Sequence, residues 1–174
     1  MVDPDVNQKP GRSGRVPLIA LVLFALCSMS VAAGEIDGVR LSSKPTIDGV
    51  LDDSVWSEAA VAEGFVQFVP QFGLPSPYRT VVLVGYTEDA LYVAFKCFDP
   101  EPDEISAAVT SRDGSLENDD SVALLIDTFH DRRRAYYFIT NTLGVQGDGK
   151  VADNGRVVEN EWDGTWECAS SRSA

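Results

Sequence analysis

The sequence predicts an all-β fold, an antiparallel β-sandwich of immunoglobulin or jelly-roll type with one short helix. Three observations carry this. Short segments rich in β-branched and aromatic residues recur along the chain, and such residues suit a pleated, half-buried surface. Turn residues separate them at intervals of about eight to twelve positions, the rhythm of a sandwich. Helical spacing of apolar residues occurs convincingly in one stretch only.

The elements follow in order. Val39–Leu41 and Phe65–Phe68 read as edge strands. Between them, Asp52 or Asp53 is positioned to cap a short helix with Val55, Trp56 and Ala59 on one side. Pro70, Pro75 and Pro77 mark a loop. Thr80–Thr87 (TVVLVGYT) is a strand by composition, and Glu88-Asp89 is a turn. Leu91–Asp99 (LYVAFKCFD) puts Leu91, Val93, Phe95 and Cys97 on one face, so the two strands should form a hairpin. Pro100 and Pro102 mark the next loop. Ser121–Asp127 alternates Val122, Leu124 and Ile126, residues 128–134 form a polar tip, and Tyr136–Asn141 returns. Val145–Val151 is a weaker strand because Gly147 and Gly149 interrupt it. Asp153-Asn154-Gly155 tolerates the positive φ of a turn.

The chain has 174 residues, of which 44% are hydrophobic and 24% charged, a globular composition. Its net charge of −13 argues against nucleic acid or an anionic membrane as partner, since both require a basic footprint. Residues 1–32 read as a signal peptide. Lys9, Arg12 and Arg15 precede the twelve-residue apolar run Val16–Cys27, and Ser30-Val31-Ala32 is a small-residue cleavage site. An exported, periplasmic, outer-membrane-associated or extracellular protein is expected. Without those residues the chain has 142 residues and a net charge of −14. Residues 33–168 form the expected domain and 169–174 a disordered tail. Cys97 and Cys168 would then sit in an oxidising compartment, either as a disulfide or as small hydrophobes in strands.

Catalytic chemistry is poorly represented. His130 is the one histidine, at the expected hairpin tip beside Asp131, and no Gly-x-Ser-x-Gly elbow accompanies it. Zinc spacing and a phosphate-cradling glycine loop are lacking. Carboxylates abound, so a pair at glycosidase separation would arise by chance and carries no weight for an O-glycosyl hydrolase. Four stand at strand ends: Asp99, Asp119, Asp120 and Asp127. Calcium prefers such oxygen ligands, and these four are the candidate site. Otherwise no cofactor is expected. Trp162 and Trp166 lie in an acidic stretch with Asn160 and Asp163. An indole stacks on the C–H face of a pyranose while carboxylates and amides bond its hydroxyls, so these four residues are the sugar-binding candidates. Plain packing is the other reading of each Trp.

Several segments carry a resemblance. They are Pro45-Thr46-Ile47-Asp48-Gly49-Val50-Leu51-Asp52-Asp53-Ser54-Val55-Trp56, Ala90–Phe95, Phe98-Asp99-Pro100, Asp119-Asp120-Ser121-Val122 and Phe138-Ile139-Thr140-Asn141. Together they resemble a family 9 carbohydrate-binding module. Gln67 to Pro75, Ser111-Arg112-Asp113, Ile126-Asp127-Thr128-Phe129 and Trp162–Glu167 narrow the resemblance to the sugar-binding-like domain that opens many bacterial outer-membrane barrel proteins. It covers about residues 36–167. It implies a β-sandwich that binds a polysaccharide such as xylan without catalysis, in the service of carbohydrate catabolism and often tethered to xylanases. The alternative it implies is an accessory domain of an outer-membrane barrel that lies outside this chain.

The sequence departs from the xylan-binding pattern. Ser115-Leu116-Glu117-Asn118 lacks the family's clamp aromatic, Ala123 stands near an expected glutamate, and Ile139 near an expected polar residue. The family's sugar contacts therefore do not carry over, and Trp162 becomes the candidate. The family also continues into further strands where this chain runs into polar residues 169–174. The resemblance thus implies a sandwich short of its C-terminal strands, with an exposed edge and marginal stability.

Overall fold

A computed structural model describes residues 35–172. The predicted signal peptide lies outside the described residues. Among these, eight strands form two four-stranded sheets in an all-β, sandwich-like fold without an α-helix. The strands are β1 (Val39–Arg40), β2 (Ala60–Ala62), β3 (Thr80–Tyr86), β4 (Leu91–Cys97), β5 (Ser121–Ile126), β6 (Ala135–Asn141), β7 (Gln146–Ala152) and β8 (Val157–Glu159).

In the first sheet, β3 and β4 form the expected hairpin, in continuous antiparallel register from Thr80↔Cys97 to Tyr86↔Leu91. The other side of β3 is shared end to end. β2 pairs antiparallel with Val82–Val84, and β1 pairs parallel with Gly85–Tyr86. Leu83↔Ala94 and Gly85↔Tyr92 are cross-strand pairs, so these four residues share a face. Leu41, Val55, Trp56 and Ala59 pack there with Leu83, Tyr92 and Ala94 as the buried cluster. Gly85 leaves the room: a Cβ at this position would lie 2.6 Å from Leu41 Cδ2.

The predicted helix is a five-residue 3₁₀ turn, Ser54–Glu58. Asp53 stands at its N-cap position, yet its side chain does not cap. Its Oδ2 instead accepts from the Thr46 N–H at 2.7 Å, tying the preceding segment down. The turn is held by burial of Val55 and Trp56, and extended backbone at Ala59 ends it. A single turn needs tertiary packing of this kind because one turn alone does not repay its nucleation cost.

The second sheet is an antiparallel meander in the order β5-β6-β7-β8. Val122, Leu124 and Ile126 are partly buried while Ser121, Ala123 and Leu125 are exposed, the alternation that the sequence predicts. β7 is stronger than its glycines suggest, because neighbours fill the space. At Gly149 a Cβ would fall 2.6 Å from Tyr137 Cε1 and 2.5 Å from the Glu159 carbonyl oxygen. The tyrosine ring of β6 thus lies across the glycine and covers the bare backbone. β2 and β8, three residues each, are additions to the sequence reading.

Phe65–Phe68 is not a strand. It is one arm of a loop closed by a single bridge, Val66↔Pro75, because the prolines opposite lack ladder donors. Residues 169–172, expected as part of a disordered tail, are held by hydrogen bonds. Ser170 Oγ donates to the Thr142 carbonyl at 2.9 Å, Ser171 Oγ to the Gly49 carbonyl at 2.6 Å, and Arg172 to Thr142 Oγ1 at 2.8 Å.

Candidate functional site

The site begins with the alternation in residues 161–168. Trp162, Gly164, Trp166 and Cys168 are partly buried, while Glu161, Asp163, Thr165 and Glu167 are exposed. Period two marks an extended segment, and this one is laid over one face of the second sheet. The pairs Tyr136↔Lys150, Phe138↔Asp148 and Thr140↔Gln146 define that face. Trp162 packs on Tyr136 with ring centroids 4.6 Å apart and meets Phe138 edge-on at 5.9 Å. Trp166 meets Phe138 edge-on at 5.4 Å. The two edge-to-face contacts are a favoured aromatic geometry, and the Tyr136 pair is tilted at 50°.

Asp148 fastens the segment. Its side chain is fully buried. It accepts from Arg112 at 2.5 Å, from the Trp166 indole N–H at 2.8 Å and from the Gly164 backbone N–H at 2.7 Å. Gln146 reinforces it, donating to the Trp166 carbonyl at 2.9 Å and accepting from Arg112 at 2.8 Å. A buried carboxylate is tolerated only when charge and hydrogen bonds compensate it, and here both do.

This geometry divides the four sugar-binding candidates. Trp166 has its N–H on Asp148 and its ring on Phe138, so its position is that of a packing residue. Asp163 points to solvent, 3.8 Å from Arg112. Trp162 and Asn160 border an open groove of about 530 Å³ with Lys150, Val158, Glu159 and Glu161. Lys150 Nζ stands 5.6 Å from the Trp162 ring and 5.7 Å from the Tyr136 ring, a cation–π arrangement. Asn160 Oδ1 accepts from the Tyr137 hydroxyl at 2.8 Å. Burial, followed by the nearby Asp113 and Asp148 charges, pushes the Tyr137 pKa above its ordinary value. The groove therefore offers a backed aromatic face, one cation, an amide and two carboxylates.

A second groove, of about 550 Å³, is lined by Leu41, Ser42, Lys44, Glu58 and Asp89 among others. It offers no aromatic ring, and its charges are engaged. Glu58 accepts from Ser42 at 2.6 and 2.8 Å, and Lys44 pairs with Asp89 at 2.8 Å. The Trp162 groove is the better candidate site.

The four aspartates expected to hold calcium are not brought together. Asp119 accepts from the Ala108 and Val109 N–H groups at 3.0 Å each and from Asn141 at 2.8 Å. Asp120 accepts from the Ser106 N–H at 2.8 Å. Asp127 takes the Phe129, Asp131 and Arg132 N–H groups of the β5–β6 tip, and Asp99 takes the Glu101 N–H. Among the described residues, no group of three or more His, Cys, Asp or Glu could hold a metal ion. The physical reason is that each carboxylate is taken by unpaired backbone N–H groups: those of the turn that follows for Asp99 and Asp127, and those of the preceding segment 106–109 for Asp119 and Asp120. His130 sits exposed on the same tip at a φ of 52°, and Cys97 and Cys168 are free thiols.

These bonds have a pH consequence. The Ala108 N–H beside Asp119, with Asn141, holds that carboxyl below its ordinary pKa; the Arg132 N–H does the same for Asp127, and the Arg133 N–H followed by Arg134 for Asp131. A carboxylate with a lowered folded pKa stabilises the fold above its unfolded pKa, and that contribution is lost as pH falls through the folded value. Stability should therefore hold through neutral pH and decline progressively below about pH 4. Urea midpoints measured from pH 7 down to pH 2 check this; a midpoint indifferent to acid contradicts it.

The residues that the sequence reading missed are Arg112, Tyr136, Gln146, Asp148 and Lys150. The period-two pattern Trp-x-Gly-x-Trp-x-Cys was the available signal for an extended cover over the sheet. Comparison of the chain with family models, curated proteins and solved structures returned no significant match.

Proposed function

We propose that this chain is a non-catalytic carbohydrate-binding module of an exported protein, taking a polysaccharide or oligosaccharide such as xylan in the Trp162 groove. The observation that supports this reading is the composition of the groove. Trp162 is held against Tyr136 and so offers a pre-oriented indole. A rigid aromatic loses little conformational freedom on binding, which favours its use as a ligand platform. Asn160, Glu159, Glu161 and Lys150 ring it with donors and acceptors for hydroxyl groups. In this reading the module serves carbohydrate catabolism by holding a partner enzyme, or the protein that bears it, on its glycan.

Titration of the full chain with xylo- and cello-oligosaccharides tests the reading. Saturable binding is expected, weakened at least about tenfold in Trp162→Ala, the low end of the about 1–3 kcal/mol that removal of a stacking ring costs in base–aromatic sites. Trp162→Phe should retain part of the affinity, and an unchanged circular dichroism spectrum should exclude unfolding as the cause. Absence of saturable binding to any glycan, or equal affinity in Trp162→Ala, would falsify the proposal.

A further inference from the structure

Residues 64–78 (GFVQFVPQFGLPSPY) contain no Asp, Glu, Lys, Arg or His, in a chain whose net charge is −13. They form a protruding knuckle between β2 and β3. Its apex is apolar and bare: Phe68 and Phe72 are each 79% exposed and Val69 is 74% exposed. The two rings meet edge-on with centroids 5.8 Å apart, so they form one continuous apolar wedge.

The knuckle is also internally bonded. The Gln67 N–H donates to the Leu74 carbonyl at 2.7 Å, Gly73 to Gln67 at 2.9 Å, Leu74 to Gln71 at 3.2 Å and Ser76 to Phe65 at 2.9 Å. The Gln67 amide donates to the Pro75 carbonyl at 2.9 Å. Three prolines bring no N–H at all. Four satisfied N–H groups, three prolines without one and the absence of charge lower the cost of moving this segment from water to the edge of a lipid phase. At the base the character changes. Tyr78 is followed by Arg79, paired with Glu63 at 2.6 Å, and both Arg79 and Lys96 lie over the Phe98 ring at 4.9 and 5.3 Å. Tyrosine and basic residues at the foot of an apolar tip match the headgroup level of a bilayer, where amphipathic rings and cations are favoured.

We propose that this knuckle docks on a phospholipid surface, seating Phe68, Val69 and Phe72 at the headgroup–acyl boundary with Tyr78, Arg79 and Lys96 at the phosphates. The occupant is a zwitterionic surface. The wedge is convex and neutral, and the strongly acidic remainder of the chain would be repelled by an anionic leaflet. The inference is independent of the glycan reading, since the knuckle and the Trp162 groove share no residue.

The test uses the full chain with phosphatidylcholine vesicles. The apolar run 16–27 is common to every variant, so only differences are read. Phe68→Ser/Phe72→Ser should lower the partition coefficient at least about tenfold, with an unchanged circular dichroism spectrum because both rings are exposed. Phe72→Trp should gain emission that brominated phosphatidylcholine quenches beyond any quenching of the wild-type chain. No flotation of the wild-type chain, equal flotation of the double variant, or an introduced indole indifferent to brominated lipid each overturns the proposal. So does loss of self-association in the double variant with flotation unchanged, which would assign the knuckle to a protein contact.

Discussion

Asp148→Ala is expected to destabilise the fold by at least about 3 kcal/mol. The carboxylate serves three donors at once: Arg112, the Trp166 indole and the Gly164 backbone. Arg112 is partly exposed, so solvent softens the loss of its ion pair. The two neutral donors lie at part-buried positions, and leaving each unsatisfied costs about 1–3 kcal/mol. The whole fold is worth only about 5–15 kcal/mol, so the variant should lose much of its population at moderate urea. Asp148→Asn should fall between, because the amide keeps one acceptor oxygen but loses the charge facing Arg112. Equilibrium urea denaturation followed by circular dichroism reads all three proteins. A loss below about 1 kcal/mol in Asp148→Ala would show that the 161–168 segment is held by its aromatic packing alone.

That carboxylate also shows where sequence reading reaches its limit. The long strands were legible because their information is local: Val122, Leu124 and Ile126 alternate, and the structure pairs them as the pattern implies. Trp56, Val55 and Ala59 were likewise legible as one apolar side, although the element is a 3₁₀ turn without a side-chain cap. β2 and β8 were not, since three residues hold too little periodicity to stand out. Asp148 lies between Gly147 and Gly149, in a strand that the sequence reads as weak, and nothing local singles it out. Its partner Arg112 lies 36 positions earlier, and no local pattern joins them. The aspartates at strand ends were recognised as a group, but their task depends on where the backbone N–H groups of each turn point. Asp127 caps a hairpin tip and Asp119 ties a loop to Asn141; a shared ion needs convergence, which spacing alone does not establish. Trp162 and Trp166 were picked out together by composition. Their separation into a groove residue and a packing residue follows from one hydrogen bond, that of the Trp166 N–H to Asp148.

Trp56 should give the second large effect, and with it a separation of two energetic causes. It is 6% exposed and packs with Leu41, Val55, Ala59 and Ala94 over the first sheet. Truncation to alanine removes the ring from the middle of that cluster and should cost about 3–5 kcal/mol. Among the described residues, its buried indole N–H has no hydrogen-bond partner. A donor stripped of water without replacement costs about 1–3 kcal/mol in the folded state. Trp56→Phe removes that liability together with part of the ring volume, and the two changes oppose each other. The phenylalanine variant should therefore lose well under the about 3–5 kcal/mol of the alanine variant. The comparison is made by urea denaturation of the wild-type chain and both variants at one temperature. If phenylalanine costs as much as alanine, the N–H has a partner in solution, and a bound water in the cluster becomes the explanation to pursue. If phenylalanine is near neutral, the ring is retained for its bulk, and the first sheet carries its unpaired donor as a cost of filling the cluster with Leu41, Val55, Ala59 and Ala94.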